Sequence, residues 1–285
     1  MRTADGTIAW SSRYSSKPGS VEDIGISVVA SPDGRAVYVT GASYGVAGTT
    51  VAYAAGNRSD AGEVLWTTKR TTAMGYWLSI APDGSRVYVS GARLTGTPGR
   101  LGPGWDVDAA ALSASDGALL WETSFAGASP GVDVPYSHVL SPDGRQLVVG
   151  GVATGAVEVD QDSFVAAVDT RDGSTDWEHR DAIPGNRAEG VGTVAYAPDS
   201  KRVYASGWSS NGTNGTQTTI AYNAADGTAA WTARFVPDGV GAAFPSSVVA
   251  SPDGKRVFVA GWQDHREPVA VEANGADFLV LAYDS

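Results

Sequence analysis

Val28 to Gly41 reads VVASPDGRAVYVTG. An apolar run, a tight turn and a β-branched run ending in glycine make a two-strand hairpin. Pro suits the first central position of a type I turn, Asp the next, and Gly the left-handed position that follows. The stretch returns as LSIAPDGSRVYVSG (Leu78 to Gly91), HVLSPDGRQLVVGG (His138 to Gly151), VAYAPDSKRVYASG (Val194 to Gly207) and VVASPDGKRVFVAG (Val248 to Gly261). The turn prolines Pro32, Pro82, Pro142, Pro198 and Pro252 step by 50, 60, 56 and 54 residues. Copies at such spacing mean a repeat fold, in which each unit buries its face on the next.

Each hairpin is followed by a second. Third strands read TVAYA (Thr50 to Ala54), AALSA (Ala110 to Ala114), VAAVD (Val165 to Asp169), TIAYN (Thr219 to Asn223) and VLAYD (Val280 to Asp284). After an Asp-Gly turn or a stand-in comes a fourth strand with a tryptophan: Trp66, Trp121, Trp177 and Trp231. The fifth unit stops after its third strand. Residues Thr3 to Tyr14, with Trp10, read as the missing turn and fourth strand. The expectation is an all-β, five-bladed β-propeller of twenty antiparallel strands. Residues 1–285 form one domain, and blade 5 is built from about 246–285 plus 1–14. Closure pairs the chain's tails and removes long open edges.

S-P-D-G followed by V-Y-V-x-G, then A-Y-(D/N)-A-x-(D/T)-G-x-x-x-W, resembles the bacterial β-propeller repeats grouped as YVTN-type, SPDG-type and PQQ-like. The resemblance covers essentially the whole chain and implies a propeller. It does not select among surface proteins, binding proteins, lyases and quinoproteins. Quinoproteins of this kind use eight blades and a cysteine pair; five units and the absence of cysteine lead us to expect no cofactor. The resemblance implies an exported or cell-surface protein, although no secretion signal is visible and the composition leaves the cytoplasm open.

Net charge is −11, which repels phosphate backbones and anionic bilayers, so neither nucleic acid nor membrane is an expected partner. A small-molecule ligand and a monomeric chain are expected. The tight S-P-D-G and Asp-Gly turns share one face of the ring, and the long loops share the other. Function sits on variable loops of a rigid scaffold, so the site is expected at the long-loop mouth.

Aromatics break the repeat there. Trp208 and Trp262 follow the second-strand glycine where other units have Ala42, Ala92 and Val152. Tyr76, Trp77, Tyr136 and Phe244 join them at the mouth. They read either as stacking groups for an apolar, sugar or cationic ligand, or as plugs between blades. An acidic slot entering the first strand holds Asp23, Asp133 and Glu189, with Ala73 and Ala243 in the other units. It reads as a carboxylate cluster for ligand binding or acid–base work, or as caps for loop N–H groups. A second acidic slot, Asp106, Asp162 and Asp277, has Asp108 and Asp160 beside it; no metal site is expected from it. His138 fills a slot that is aliphatic in the other units, and either packs in the core or acts as a base. His265, between Asp264 and Glu267, reads as a ligand-contacting base or a solvated loop residue.

The leading expectation is a small-molecule-binding propeller, using Asp23, Tyr76, Trp77, Tyr136, Trp208, Phe244, Trp262 and His265. The first alternative is an acid–base enzyme, a hydrolase, lyase or cyclase, with His138, Glu189 and Asp133 as its catalytic groups. The second is a protein-interaction scaffold.

Overall fold

The computed structural model describes residues 6–16, 22–43, 47–56, 59–95, 104–129, 131–155, 161–181, 188–210, 215–237, 241–266 and 274–285. These residues form nineteen strands and no helix. Blade 1 is β1 (Asp23–Ala30), β2 (Ala36–Ser43), β3 (Ala47–Ala54) and β4 (Val64–Arg70). Blade 2 is β5 (Trp77–Ile80), β6 (Arg86–Leu94), β7 (Trp105–Ser113) and β8 (Leu119–Phe125). Blade 3 is β9 (Val134–Leu140), β10 (Gln146–Thr154), β11 (Gln161–Asp169) and β12 (Thr175–Asp181). Blade 4 is β13 (Ala188–Tyr196), β14 (Arg202–Ser210), β15 (Gly215–Asn223) and β16 (Ala229–Phe235). Blade 5 has three strands, β17 (Ala243–Ala250), β18 (Arg256–Arg266) and β19 (Asn274–Asp284).

Within each blade the pairing is antiparallel between consecutive strands. One parallel pair, Gln161↔Ala188, joins blades 3 and 4 into an eight-stranded sheet, so five blades make four hydrogen-bonded sheets. First strands neighbour one another in the order β1, β5, β9, β13, β17.

The hairpin turns form as their residues dictate. In the first, Gly34 stands at φ 68°, and Ser31 Oγ accepts the N–H groups of Arg35 and Ala36 at 3.0 and 2.9 Å. The glycine closing each second strand has a different cause. A Cβ at Gly41, Gly151, Gly207 or Gly261 would lie 1.8, 2.1, 2.1 or 2.0 Å from a first-strand carbonyl oxygen, and one at Gly91 would lie 1.7 Å from the carbonyl oxygen of Met74, just before β5. In blades 1, 3, 4 and 5 the register shifts beside this point, and the bulge drives that carbonyl into the space a side chain would need.

Four apolar clusters hold the blades together, one at each junction from blades 1 and 2 to blades 4 and 5. The fourth-strand tryptophans are the recurring pins. Trp66, Trp121 and Trp177 each donate Nε1–H to a carbonyl of the next blade, Ala114, Thr170 and Ala224, at 2.9, 2.9 and 2.8 Å. Each indole lies beneath a positive-φ glycine of that blade, Gly117, Gly173 or Gly227.

The structure departs from the expected closed ring of twenty strands. The described residues 6–16 form no strand, and β19 is the edge of a three-stranded sheet. Trp10 does occupy a tryptophan slot: its ring lies 6.3 Å from Tyr53 and beneath Gly62 of blade 1. The segment is therefore seated on blade 1 without pairing to blade 5. Both end faces stay open, with Val28 66% and Val280 67% exposed.

Candidate functional site

The repeat-breaking aromatics of blades 3, 4 and 5 come together. On blade 5, Phe244 pairs across the strands with Trp262, and their rings stack at 4.5 Å. Trp208, on β14, lies 6.0 Å from Phe244, and Tyr136, on β9, lies 5.7 Å from Trp208. This makes a continuous run of four rings. Room for the Trp208 indole comes from Gly190 and Gly192 on β13. A Cβ at Gly190 would meet the indole at 2.7 Å, and one at Gly192 at 3.3 Å. Those two glycines are the signal that sequence reading passed over. Tyr136 and Trp262 keep about two fifths of their surface in water, at 39% and 41%. Trp77 is exposed on blade 2, whereas Tyr76 is half-buried with its hydroxyl 3.4 Å from Met74 Sδ.

The carboxylates have local partners. Asp133 is buried and accepts the backbone N–H groups of Thr154, at 2.6 Å, and Gly127. Asp23 accepts the Ser16 N–H at 2.8 Å, and the Ser43 hydroxyl helps hold its pKa below the usual carboxylate range. Both fasten loops to the sheet, as the capping reading expects. Asp106 has its pKa raised by burial and by the neighbouring Asp133. Glu189 is buried and borders a crevice between blades 3 and 4. Among the described residues, no three His, Asp or Glu side chains converge as metal ligands.

His138 sits at the junction of blades 2 and 3. Its Nδ1 lies 2.8 Å from Ser90 Oγ, and its Nε2 has neither partner nor access to water. Burial lowers its pKa to about 4. A base with one nitrogen engaged and the other sealed off does not reach a substrate in this geometry. His265 lies on β18 opposite Gly275, but its side chain, like Glu267 and Asp160, lies outside the described residues.

The cavities among the described residues lend no support to the expected small-molecule pocket at a central mouth. A crevice of about 520 Å³ runs between blades 3 and 4, from Glu189 and Trp208 inside to Thr232 and Arg234 outside. A second, about 300 Å³, lies on the open face of blade 1, between Trp10, Asp23 and Val51. Neither is ringed by the aromatic set, because Phe244 stacks on Trp262 and Trp208 leans on Phe244 at a tilt, so the rings meet one another instead of walling a space.

The PQQ_2 repeat model, described as outer membrane protein assembly factor BamB, matches residues 47–214. The chain belongs to this family. The resemblance to PQQ-like repeats carried by the tryptophan-bearing turns is thereby borne out, while the YVTN and SPDG groupings rest on the motifs alone. A search of curated proteins finds no match. Among solved structures, Sqt1 from Chaetomium thermophilum aligns at 11% identity and TM-score 0.54, over 90% of this chain and 61% of that one. BamB from Moraxella catarrhalis aligns at 12% identity and TM-score 0.41, over 82% of this chain and 81% of that one. Quinohemoprotein alcohol dehydrogenase ADHIIG from Pseudomonas putida HK5 aligns at 12% identity and TM-score 0.48, over 81% and 49%. This PQQ-like chain thus spans about three fifths of Sqt1 and half of the dehydrogenase. At 11% identity the likeness to Sqt1 shows the fold alone.

Proposed function

We propose that this family member is a protein-interaction scaffold: a five-bladed propeller, closed by its N-terminal strand, that docks a partner segment on the Tyr136–Trp208–Phe244–Trp262 run. The observation that carries the reading is the run itself. Its rings are held by one stacked and two tilted contacts, yet Tyr136 and Trp262 stay partly exposed. Rigid, partly exposed aromatic anchors are what protein interfaces concentrate at their centres. They lose little conformational freedom on binding. The net charge of −11 favours a basic segment, whose arginines also suit aromatic faces. Membership in a family described by an assembly factor supports the same reading.

The test is a panel of extended peptides carrying Arg and Lys with interspersed aromatics, titrated against the chain with tryptophan emission and calorimetry. Binding on the order of micromolar is expected, weakening in about 0.5 M salt and falling roughly tenfold in Tyr136→Ala with Trp208→Ala. Binding of neutral saccharides through the same two residues, with no peptide binding, would return the small-molecule reading.

A further inference from the structure

We infer that the crevice between blades 3 and 4 takes one long basic side chain of the docked partner segment, with its charged head at Glu189. This rests on the docking reading above and names what the segment must carry beside its aromatic contacts.

The crevice exists because one slot is left small. That slot lies three residues before the alanine that pairs with each fourth-strand tryptophan, and it faces the preceding blade. In blade 2 it holds Asp108, which with Glu122 meets Arg70 of blade 1. In blade 3 it holds Phe164, which packs on Phe125 of blade 2 at 5.3 Å. In blade 4 it holds Thr218, and Thr232 stands where Glu122 stands in blade 2. These two threonines line the crevice of about 520 Å³. Thr49 holds the same slot in blade 1 and also borders a cavity. A threonine here forgoes the apolar burial that a phenylalanine gains one junction away, so the space is not a requirement of the fold.

The lining suits an aliphatic stem with a positive head. Val165, Val191 and Ile220 supply apolar lining, and the buried Glu189 stands beside Trp208 at the inner end. A carboxylate has lone pairs for several donors, and where water is scarce it attracts a cation more strongly than an exposed carboxylate does. Lysine and arginine lay their stems on apolar surface and carry the head to a polar end. At the outer end Arg234 repels the same head, so the charges of the crevice fix its direction.

Trp208 ties the crevice to the docking surface. It lies 5.7 Å from Tyr136 and 6.0 Å from Phe244 in the aromatic run, and it also lines the crevice. A segment lying on the run therefore passes the inner end, where a basic residue can turn in beside an indole whose face also favours a cation. The net charge of −11 draws such a segment in from a distance, whereas Glu189 fixes where one of its charges comes to rest.

The test is a double-mutant cycle between chain and peptide. The probes are the tightest-binding member of the peptide panel and the same peptide with each basic residue in turn replaced by norleucine. Calorimetry measures them against the unaltered chain, Glu189→Gln, Thr218→Phe and Glu63→Gln. Glu63 is exposed on blade 1 and controls for long-range charge. At one position, norleucine should weaken binding roughly tenfold or more in the unaltered chain and in Glu63→Gln. In Glu189→Gln the same replacement should cost about twofold or less. Thr218→Phe copies the neighbouring junction; it should raise the melting temperature and lose the preference, while keeping the binding that Tyr136 and Trp208 provide. Binding that needs Tyr136 and Trp208 but shows no such position would overturn the crevice and leave the docking surface standing. A preference that survives in Glu189→Gln or Thr218→Phe would do the same. No binding by any peptide would overturn both.

Discussion

Ser90 Oγ and His138 Nδ1 stand 2.8 Å apart across the junction of blades 2 and 3, and they are the only described pair linking a hydroxyl to an imidazole there. Because burial holds the folded pKa of His138 at about 4, below its ordinary 6.5, the fold favours the neutral ring. Its contribution to stability is complete above pH 6.5 and is lost as pH falls from there through 4. The loss reaches about 3 kcal/mol at most. His138→Leu, restoring the aliphatic slot of the other blades, should flatten this part of the profile. Urea midpoints of both proteins at pH 7 and pH 4.5 measure it; equal slopes would remove the histidine from the account.

Blades 1 and 2 are clamped by charge. Arg70 Nη2 donates to Asp108 at 2.5 Å and to Glu122 at 2.6 Å, and Arg93 Nε donates to Asp108 at 2.9 Å. At the equivalent positions of blades 2 and 3, Phe125 and Phe164 pack at 5.3 Å. Removing one partner of a buried ion pair leaves an uncompensated charge, so Asp108→Asn should cost about 3–5 kcal/mol. The double change Arg70→Phe with Asp108→Phe copies the neighbouring junction and should recover most of that loss. Chemical unfolding of the three proteins decides it, and a double variant as weak as the single would refute the exchange.

Gly151→Ala places a methyl 2.1 Å from the Val134 carbonyl oxygen. Backbone on both sides must shift, and the expected cost is about 2–3 kcal/mol. Thermal unfolding measures it. A loss no larger than that of an exposed glycine-to-alanine change would mean that the bulge relaxes freely.

Ser200 takes the turn position that Gly34, Gly84, Gly144 and Gly254 hold elsewhere, and its φ is 61°. Its hydroxyl recovers part of the strain by accepting the Asp143 N–H at a long 3.3 Å. Ser200→Gly should therefore stabilise by about 0.5–1 kcal/mol. A lower melting temperature would show that the bond between turns outweighs the strain.

The repeat made blades, strand order and tight turns legible, because a turn and its flanking strands are decided by residues a few positions apart. It also marked Trp208, Phe244, Trp262 and Tyr136 as departures from the pattern. It did not show that they touch one another in a continuous run. Nor did it show Arg70 meeting Asp108, since the two slots hold phenylalanines at the next junction and no motif joins them. The carboxylates of Asp23 and Asp133 read in sequence as a cluster or as loop caps, and each is engaged by its own loop.

What the amino-acid order determined alone was the unit: hairpin, glycine, second hairpin, tryptophan, repeated along the chain. Which side chains face each other across blades was decided only in three dimensions. That choice depends on how far each repeat unit turns from its neighbour, which separates a walled pocket from a run of touching rings. The same geometry leaves the first and last faces open.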